Sequence, residues 1–284
     1  MNIEKIDFKA TDGLELSGLL YKGSVQTKEV ILAIHGMTSN CFKKRDELIA
    51  KAATENGINY FVFNNRGSDL AKYFKKDNQK ILIGTSYEDV YESCYDIEGA
   101  VNMLLANGYE KINLQGHSLG ATKVVYSYNK IKDKINSVIL LSLVDIHHLI
   151  CNYTANFQKN LLLAEQLERE GKAYALMPKE AFIHPVSVKT YLMYTKNYKD
   201  IDFARYHDKE YDFNVLNNIE VPLFMRWGNN NEMVEQNLDD LVNMIKSKLT
   251  KTDIDISYID GADHGYGEHE EELAKQIVSF VQGC

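Results

Sequence analysis

Short apolar runs alternate with longer segments of helical periodicity along most of this chain. The apolar runs are five to seven residues long and occupy positions 29–34, 59–63, 111–115, 137–143, 221–227 and 254–259. Runs that are apolar at nearly every position are typical of strands buried on both faces of a sheet. Helical patterns follow at 42–55, 88–107, 119–129, 233–249 and 268–281. The alternation predicts an α/β fold with a mostly parallel sheet that carries helices on both faces.

The N-terminal segment differs from this pattern. Positions 3–10 and 14–21 have the character of strands, and Thr11-Asp12-Gly13 separates them. Asp-Gly between two strand patterns is a strong signal for a hairpin. We therefore expect the sheet to begin with an antiparallel pair.

A long interval separates the run that ends near position 143 from the run that begins at 221. It is much longer than a connection between neighbouring strands requires. Residues 146–218 hold 11 of the chain's 30 aromatic residues, and the Leu- and Glu-rich stretch 160–170 has a helical pattern. These features predict a helical cap at 146–218, inserted after the sixth strand of a core domain made of residues 1–145 and 219–284.

The composition limits the partners that we expect. The 284 residues include 32 Lys and Arg against 40 Asp and Glu, a formal net charge of −8, and no long basic run. Such a chain lacks the positive surface that binds nucleic acid or anionic lipid, so we expect neither partner. No stretch approaches the roughly 20 apolar residues of a membrane span, and the N-terminus has no signal-peptide pattern, which predicts a cytoplasmic protein. No Gly-rich dinucleotide or phosphate motif is present, so we expect no cofactor.

The motif Gly-His-Ser-Leu-Gly at 116–120 lies between a predicted buried strand and a predicted helix. A Gly-x-Ser-x-Gly motif in this position is typical of a sharp turn that exposes the serine hydroxyl at the start of the helix. The two glycines leave room for neighbouring backbone to approach. We predict that Ser118 is a catalytic nucleophile.

A serine hydroxyl needs a base to accept its proton, and the chain has eight histidines. His264 follows the last predicted strand and precedes the last predicted helix, which puts it on the same carboxyl edge of the sheet as Ser118. We therefore predict that His264 is the base. The pair His147 and His148, taken with Asp145, lacks a further convergent ligand at a recognisable spacing, so we expect no metal site.

The third member of such a triad is a carboxylate that orients the imidazole. Glu232 follows the predicted strand 221–227 in the loop 228–232, on the correct edge of the sheet. Asp145 follows the preceding strand and is the alternative. The sequence favours Glu232 and leaves Asp145 open.

A tetrahedral intermediate also needs backbone N–H donors for its oxyanion. Leu119 lies directly after the serine, at the N-terminus of the predicted helix. Met37 lies in His-Gly-Met-Thr at 35–38, after the third strand, where Gly36 lets the loop fold over the site. We predict that Leu119 and Met37 form the oxyanion hole.

The motifs occur in a familiar order. The chain resembles the α/β-hydrolase superfamily through Asp12-Gly13, His35-Gly36, Asn65-Arg66-Gly67, the 116–120 motif, Trp227-Gly228 and His264. The resemblance implies a sheet of eight strands with the second antiparallel, and the same roles for Ser118, His264, Met37 and Leu119. Many members carry the acid as Trp-Gly-x-x-Asp, and the matching position here is Asn231. More loosely, 64–69 and 231–232 are similar to a branch that includes fungal siderophore ester hydrolases.

Together these features predict a serine hydrolase that cleaves a small-molecule carboxylic ester or thioester through an acyl-enzyme. An acyltransferase or peptidase would use the same triad, and a catalytically silent binding protein would keep the same fold. Tyrosines of the cap, such as Tyr153, Tyr191 and Tyr194, are candidates for contact with an aromatic or amphipathic substrate. The alternative is that these rings are only buried under the cap helices. The sequence leaves the oligomeric state open.

Overall fold

The computed structural model describes all 284 residues. Ten strands form one sheet: β1 (Asn2–Lys9), β2 (Leu14–Lys22), β3 (Glu29–Ile34), β4 (Asn59–Asn64), β5 (Lys72–Lys76), β6 (Gln79–Ile83), β7 (Lys111–His117), β8 (Ser137–Leu141), β9 (Leu223–Gly228) and β10 (Ile254–Ile259). Eight of them lie where the sequence predicts strands, and their ends differ from the prediction by at most two residues.

The order of the strands brings several loops to one edge of the sheet. From β10 through β9, β8, β7 and β3 to β4, neighbouring strands are parallel. β2 is antiparallel to β4, and β1 pairs with β2, again antiparallel. The predicted α/β fold, with a mostly parallel sheet and an antiparallel second strand, is confirmed. The loops that follow β3, β7, β8, β9 and β10 therefore share the carboxyl edge, where α/β folds bind their ligands.

The sheet has ten strands and not eight because residues 72–83 form an additional hairpin. β5 and β6 are joined by Asp77 and Asn78, which both have positive φ, 49° and 64°. Two such residues in succession make the tight turn that matches the twist of paired strands. The hairpin continues the sheet through pairing of β5 with Leu14 and Glu15 of β2.

Nine α-helices complete the fold: α1 (Lys44–Glu55), α2 (Ser93–Ala106), α3 (Leu119–Ile131), α4 (Ile146–Tyr153), α5 (Phe157–Arg169), α6 (Val188–Thr195), α7 (Asn214–Asn217), α8 (Leu238–Lys248) and α9 (Glu270–Gln282). Short 3-10 turns lie at Val90–Glu92, Lys132–Lys134, Lys179–Ala181 and Lys199–Ile201. None of the helices has both the length and the apolar composition that crossing a bilayer requires.

The central strands are buried on both faces, as their sequence predicts. In β3, Leu32 belongs to the larger hydrophobic core, whereas Ile31 and Ala33 belong to the smaller one. This alternation follows from the two-residue period of a strand. Apolar side chains of α2, α3 and α8 fill the larger core, and those of α1 and α9 fill the smaller core. The sheet is therefore covered by helices on both faces.

Helices α4 to α7 occupy the long interval between β8 and β9. Nine of the eleven aromatic side chains of this interval belong to the larger core or pack against it. Tyr206 lies edge-on against Trp227 of β9, with ring centroids 6.2 Å apart, and its hydroxyl donates to the Leu143 carbonyl at 2.9 Å. The backbone N–H of Ser187 donates to the Ser86 carbonyl at 2.7 Å. These contacts join the segment to the carboxyl edge of the sheet.

Candidate active site

Ser118 occupies a strained turn between β7 and α3. Its φ is 56° and its ψ is −126°, a conformation that non-glycine residues rarely adopt and that costs on the order of 1–3 kcal/mol. The flanking glycines are required because a Cβ at Gly116 would collide with the carbonyl of Gly120, and a Cβ at Gly120 would collide with the carbonyl of Ile34. Close packing of backbone on both sides thus holds the serine at the carboxyl edge of the sheet.

His264 lies beside this serine, in the loop between β10 and α9. Its Nε2 is 3.0 Å from Ser118 Oγ. The loop is held by His117, whose Nε2 lies 2.7 Å from the His264 carbonyl oxygen. Burial lowers the pKa of His117 well below its usual range, so the ring is neutral and this nitrogen must carry the proton that it donates. His117 therefore supports the loop of His264 and is not oriented toward the serine as a base.

Glu232 contacts the other ring nitrogen of His264. Its Oε1 accepts a hydrogen bond from His264 Nδ1, and its side chain is only 3% exposed. The second oxygen accepts from Ser142 Oγ at 2.7 Å and from the Gly228 N–H at 3.3 Å. Ser142 is itself 3.0 Å from the hydroxyl of buried Tyr266. The Met233 N–H also donates to Oε1 at 2.9 Å, so four donors hold the carboxylate.

The structure does not bring the other two candidate acids to His264. Asp145 caps α4 by accepting from the His148 N–H at 3.3 Å, and its Oδ2 lies 2.5 Å from His207 Nδ1. Asn231 is exposed and has a positive φ of 54°. The turn at Asn231 directs the next side chain, Glu232, toward the imidazole.

Asp145, His148 and His207 form a second cluster near this edge, with ligand atoms within 4.8 Å of one another. No local sequence pattern points to His207 as the further ligand, because it lies 62 residues after Asp145. The two imidazole rings are nearly parallel, with centroids 4.2 Å apart, and His148 Nε2 lies 3.0 Å from Glu235. Parallel stacked rings cannot both direct an in-plane lone pair at one ion. In this arrangement the cluster is a pair of His–carboxylate contacts.

Two backbone donors lie next to Ser118. The N–H groups of Met37 and Leu119 donate no hydrogen bond within the protein, and both residues line the cavity that Ser118 faces. Gly36 allows the Met37 loop to approach, because a Cβ there would lie 2.9 Å from the Ser118 Cβ. Free N–H groups beside a serine hydroxyl are suited to binding a developing oxyanion.

The cavity at Ser118 has a volume of about 580 Å³, which is within the range of small-molecule sites. Segments after β8 contribute an apolar wall that includes Val144, Ile150 and Phe182. Of the predicted contact tyrosines, Tyr153 lines the cavity and is 65% exposed. Tyr191 and Tyr194 are fully buried within the segment and do not line this cavity.

Comparison with known proteins agrees with this architecture. Residues 29–170, which are 142 of the 284 residues, match the profile of a family described by the α/β hydrolase fold. The chain belongs to this family. No curated protein matches this α/β hydrolase in sequence.

Solved structures of similar fold extend over nearly the whole chain. Est1E from Butyrivibrio proteoclasticus with bound ferulic acid is 15% identical, covers 97% of this chain and 98% of its own, and has a TM-score of 0.65. A thermostable carboxyl esterase from Bacillus coagulans, in complex with glycerol, is 12% identical, covers 100% and 99%, and has a TM-score of 0.68. A soluble variant of monoglyceride lipase from Saccharomyces cerevisiae, with a substrate analogue, is 14% identical, covers 99% and 95%, and has a TM-score of 0.66. Likeness at these identities shows the fold alone.

Two residues of this α/β hydrolase that bear on the site were missed in the sequence. Ser142 directly follows β8, so its place at a strand end on the carboxyl edge was an available signal. Arg45 lies in a helical pattern among other charged residues and looks like a surface position. It is in fact only 7% exposed and lines the cavity, which no local pattern reveals.

Proposed function

We propose that this protein is a serine hydrolase that cleaves carboxylic esters or thioesters through an acyl-enzyme. The observation that carries the proposal is the contact of Ser118 Oγ with His264 Nε2 at 3.0 Å, with Glu232 on the opposite ring nitrogen, at the wall of an apolar cavity. A nucleophile, a base and an orienting acid in this geometry are the requirements for acyl transfer. The structurally similar carboxyl esterase and monoglyceride lipase are consistent with an ester substrate.

In the first half of the reaction, Ser118 Oγ attacks the carbonyl carbon of the substrate while His264 Nε2 accepts the hydroxyl proton. The negative charge that develops on the carbonyl oxygen is stabilised by the N–H groups of Met37 and Leu119. The imidazolium is stabilised by Glu232. His264 then returns the proton to the departing alcohol or thiol, which leaves the acyl group on Ser118.

In the second half, water replaces the alcohol. His264 accepts a proton from the water as it attacks the acyl carbon, and the collapsing intermediate regains that proton on Ser118 Oγ. The products are the carboxylic acid and the free enzyme. The buried position of Glu232 favours this cycle, because a charge is most effective where water is excluded.

We further propose that residues 146–218 act as a cap over the site, on a core made of residues 1–145 and 219–284. Ile150 lies near the start of this segment and Phe182 lies in its middle, and both line the cavity together with Val144 of the core. An apolar wall of this kind would select the hydrocarbon part of the substrate by its length and shape. Tyr153 is the tyrosine of the cap with access to a substrate.

The proposal is tested with p-nitrophenyl esters from acetate to octanoate and with a fluorophosphonate label. We expect Ser118→Ala to lose labelling and to lower kcat by at least about 10⁴-fold, since loss of the nucleophile removes the covalent pathway. Ser127→Ala is the matched control: this serine is on the same helix, and its buried hydroxyl has no partner. Equal labelling of wild type and Ser118→Ala, or a hydrolysis rate that Ser118→Ala does not change, would overturn the proposal.

A further inference from the structure

Three consecutive cations form part of the wall of the catalytic cavity. Lys43, Lys44 and Arg45 line it at the N-terminus of α1, together with Ser118 and His264. The single carboxylate among the lining residues is that of Glu270. The whole protein has a net charge of −8, whereas the cations in this part of the cavity wall outnumber the carboxylates.

Arg45 is the unusual member of this group. It is only 7% exposed, and its Nε is buried without a hydrogen-bond partner. Its ion-pair contact, from Nη2 to Asp46 Oδ2, is 3.5 Å long, whereas a charge-assisted hydrogen bond is about 2.7–2.9 Å. The other oxygen of Asp46 is bound by the Tyr60 hydroxyl at 2.8 Å. A buried guanidinium without a close partner is costly, so Arg45 is suited to bind an anion that enters the cavity.

Ion pairs balance two of the three cations and leave one positive charge at this site. Lys44 Nζ lies 3.1 Å from Glu270, so these two charges balance each other. Lys43 is exposed and has no ion pair. No side chain caps the start of α1, so its first N–H groups are available to an anion, while Asp46 and Glu47 in the first turn offset the helix dipole. Burial is the main cause that lowers the pKa of His117, and the charge of Arg45 is the second. The charge of Arg45 therefore acts on the residue that precedes Ser118.

We propose that the substrate carries a second, anionic group, a carboxylate, which binds Arg45 and the N-terminus of α1 while its ester carbonyl lies at Ser118. This inference rests on the proposed function and narrows it to esters of dicarboxylic acids or of hydroxy acids. The apolar wall from the segment after β8 contacts the hydrocarbon part. The planar fork of Arg45 suits a carboxylate, because guanidinium and carboxylate form two parallel hydrogen bonds.

The test compares two matched pairs of esters. Mono-(4-nitrophenyl) glutarate and its methyl ester differ by a charge on the acyl side, whereas 4-acetoxybenzoate and its methyl ester differ by a charge on the leaving group. In wild type we expect kcat/KM to favour the anionic member of one pair by about tenfold or more, mainly through KM. The pair that shows the preference identifies the side on which the carboxylate lies.

Substitutions then locate the effect. We expect Arg45→Gln to abolish the preference and Arg45→Lys to retain part of it. The ratio of kcat/KM within a pair is independent of how much enzyme is folded, so an unstable variant still gives an answer. Lys51→Gln is the matched control, since Lys51 is an exposed lysine on the same helix that does not line the cavity. Equal rates for both members of both pairs, or a preference that survives Arg45→Gln, would overturn the inference.

A binding arm separates this inference from the proposed function. Glutaric acid monoanilide carries the same carboxylate with an amide in place of the ester, and calorimetry measures its affinity for Ser118→Ala protein. Tighter binding than of its methyl ester, lost in the variant that also has Arg45→Gln, would support the anion site even if no ester were hydrolysed. Equal affinity for both anilides, together with equal affinity for 4-acetamidobenzoate and its methyl ester, which carry the charge on the leaving-group side, would refute the site even in an active esterase.

Discussion

Replacement of Glu232 by glutamine tests whether Glu232 is the acid of the proposed triad. One carboxylate oxygen accepts from His264 Nδ1 and the Met233 N–H, and the other accepts from Ser142 Oγ and the Gly228 N–H. A glutamine offers one oxygen and one NH₂ group. If the NH₂ faces His264, the ring must move its proton to Nε2 and can no longer accept from Ser118. If the NH₂ faces the other way, it meets the N–H of Gly228, and two donors oppose each other.

The lost charge sets the size of the effect. As His264 takes the proton of Ser118 it becomes an imidazolium, and Glu232, with 3% side-chain exposure, is its counter-ion. Opposite unit charges about 4 Å apart interact by about 4 kcal/mol at an effective dielectric constant of about 20. This corresponds to a loss of about 10³-fold in kcat. The wrong tautomer adds to it, so we expect a loss of about 10³- to 10⁴-fold.

The assay is kcat and KM with the fastest p-nitrophenyl ester, and Asp145→Asn is the matched control. That substitution also removes a carboxylate that contacts a histidine, here His207, and asparagine can still cap α4. We expect Asp145→Asn to stay within about tenfold of wild type. Thermal unfolding of both variants shows whether the fold is retained. A Glu232→Gln enzyme within about tenfold of wild type, or an equally severe loss in Asp145→Asn, would refute the assignment of the acid.

Two further predictions concern buried groups behind the site. Lys123 and Glu88 form an ion pair of 2.7 Å with neither side chain exposed, so Lys123→Met leaves an unpaired buried carboxylate and should lower the free energy of unfolding by about 3–5 kcal/mol. Urea unfolding measures this, and failure of a second change, Glu88→Leu, to recover stability would contradict it. Burial lowers the pKa of His35 to about 3. Between about pH 6.5 and pH 3 the histidine is therefore protonated in the unfolded chain and not in the folded one, and the free energy of unfolding decreases as the pH is lowered. His35→Asn should remove about 2.3 kcal/mol of the stability lost between about pH 6.5 and pH 4.5 in urea titrations, and an unchanged pH slope would argue against this origin.

The parts of the fold that the sequence predicted are those with a local signal. β3 is apolar at nearly every position, and the glycines at 116 and 120 mark a backbone approach that any side chain would block. The hairpin at 72–83 was not predicted, although Asp77-Asn78 is a suitable two-residue turn. Half of the ten residues in its two strands are Lys or Gln and only two residues are buried, so neither strand has the apolar run by which the buried strands were found.

The choice between Glu232 and Asp145 could not be made from the sequence, because both follow neighbouring parallel strands at the same edge. What separates them is the direction in which each loop leaves the sheet. Asp145 begins α4, and its carboxylate is used by the cap of that helix and by His207. Asn231 has a left-handed backbone conformation, and the side chain that reaches His264 is that of the next residue, Glu232. Its Oε1 contacts Nδ1, the ring nitrogen on the side opposite Ser118. Ser142, itself at a positive φ of 47°, fixes the far oxygen. In the proposed triad, a one-residue shift of the acid from Asn231 to Glu232 is thus compensated by a longer side chain and by the hydrogen bond from Ser142.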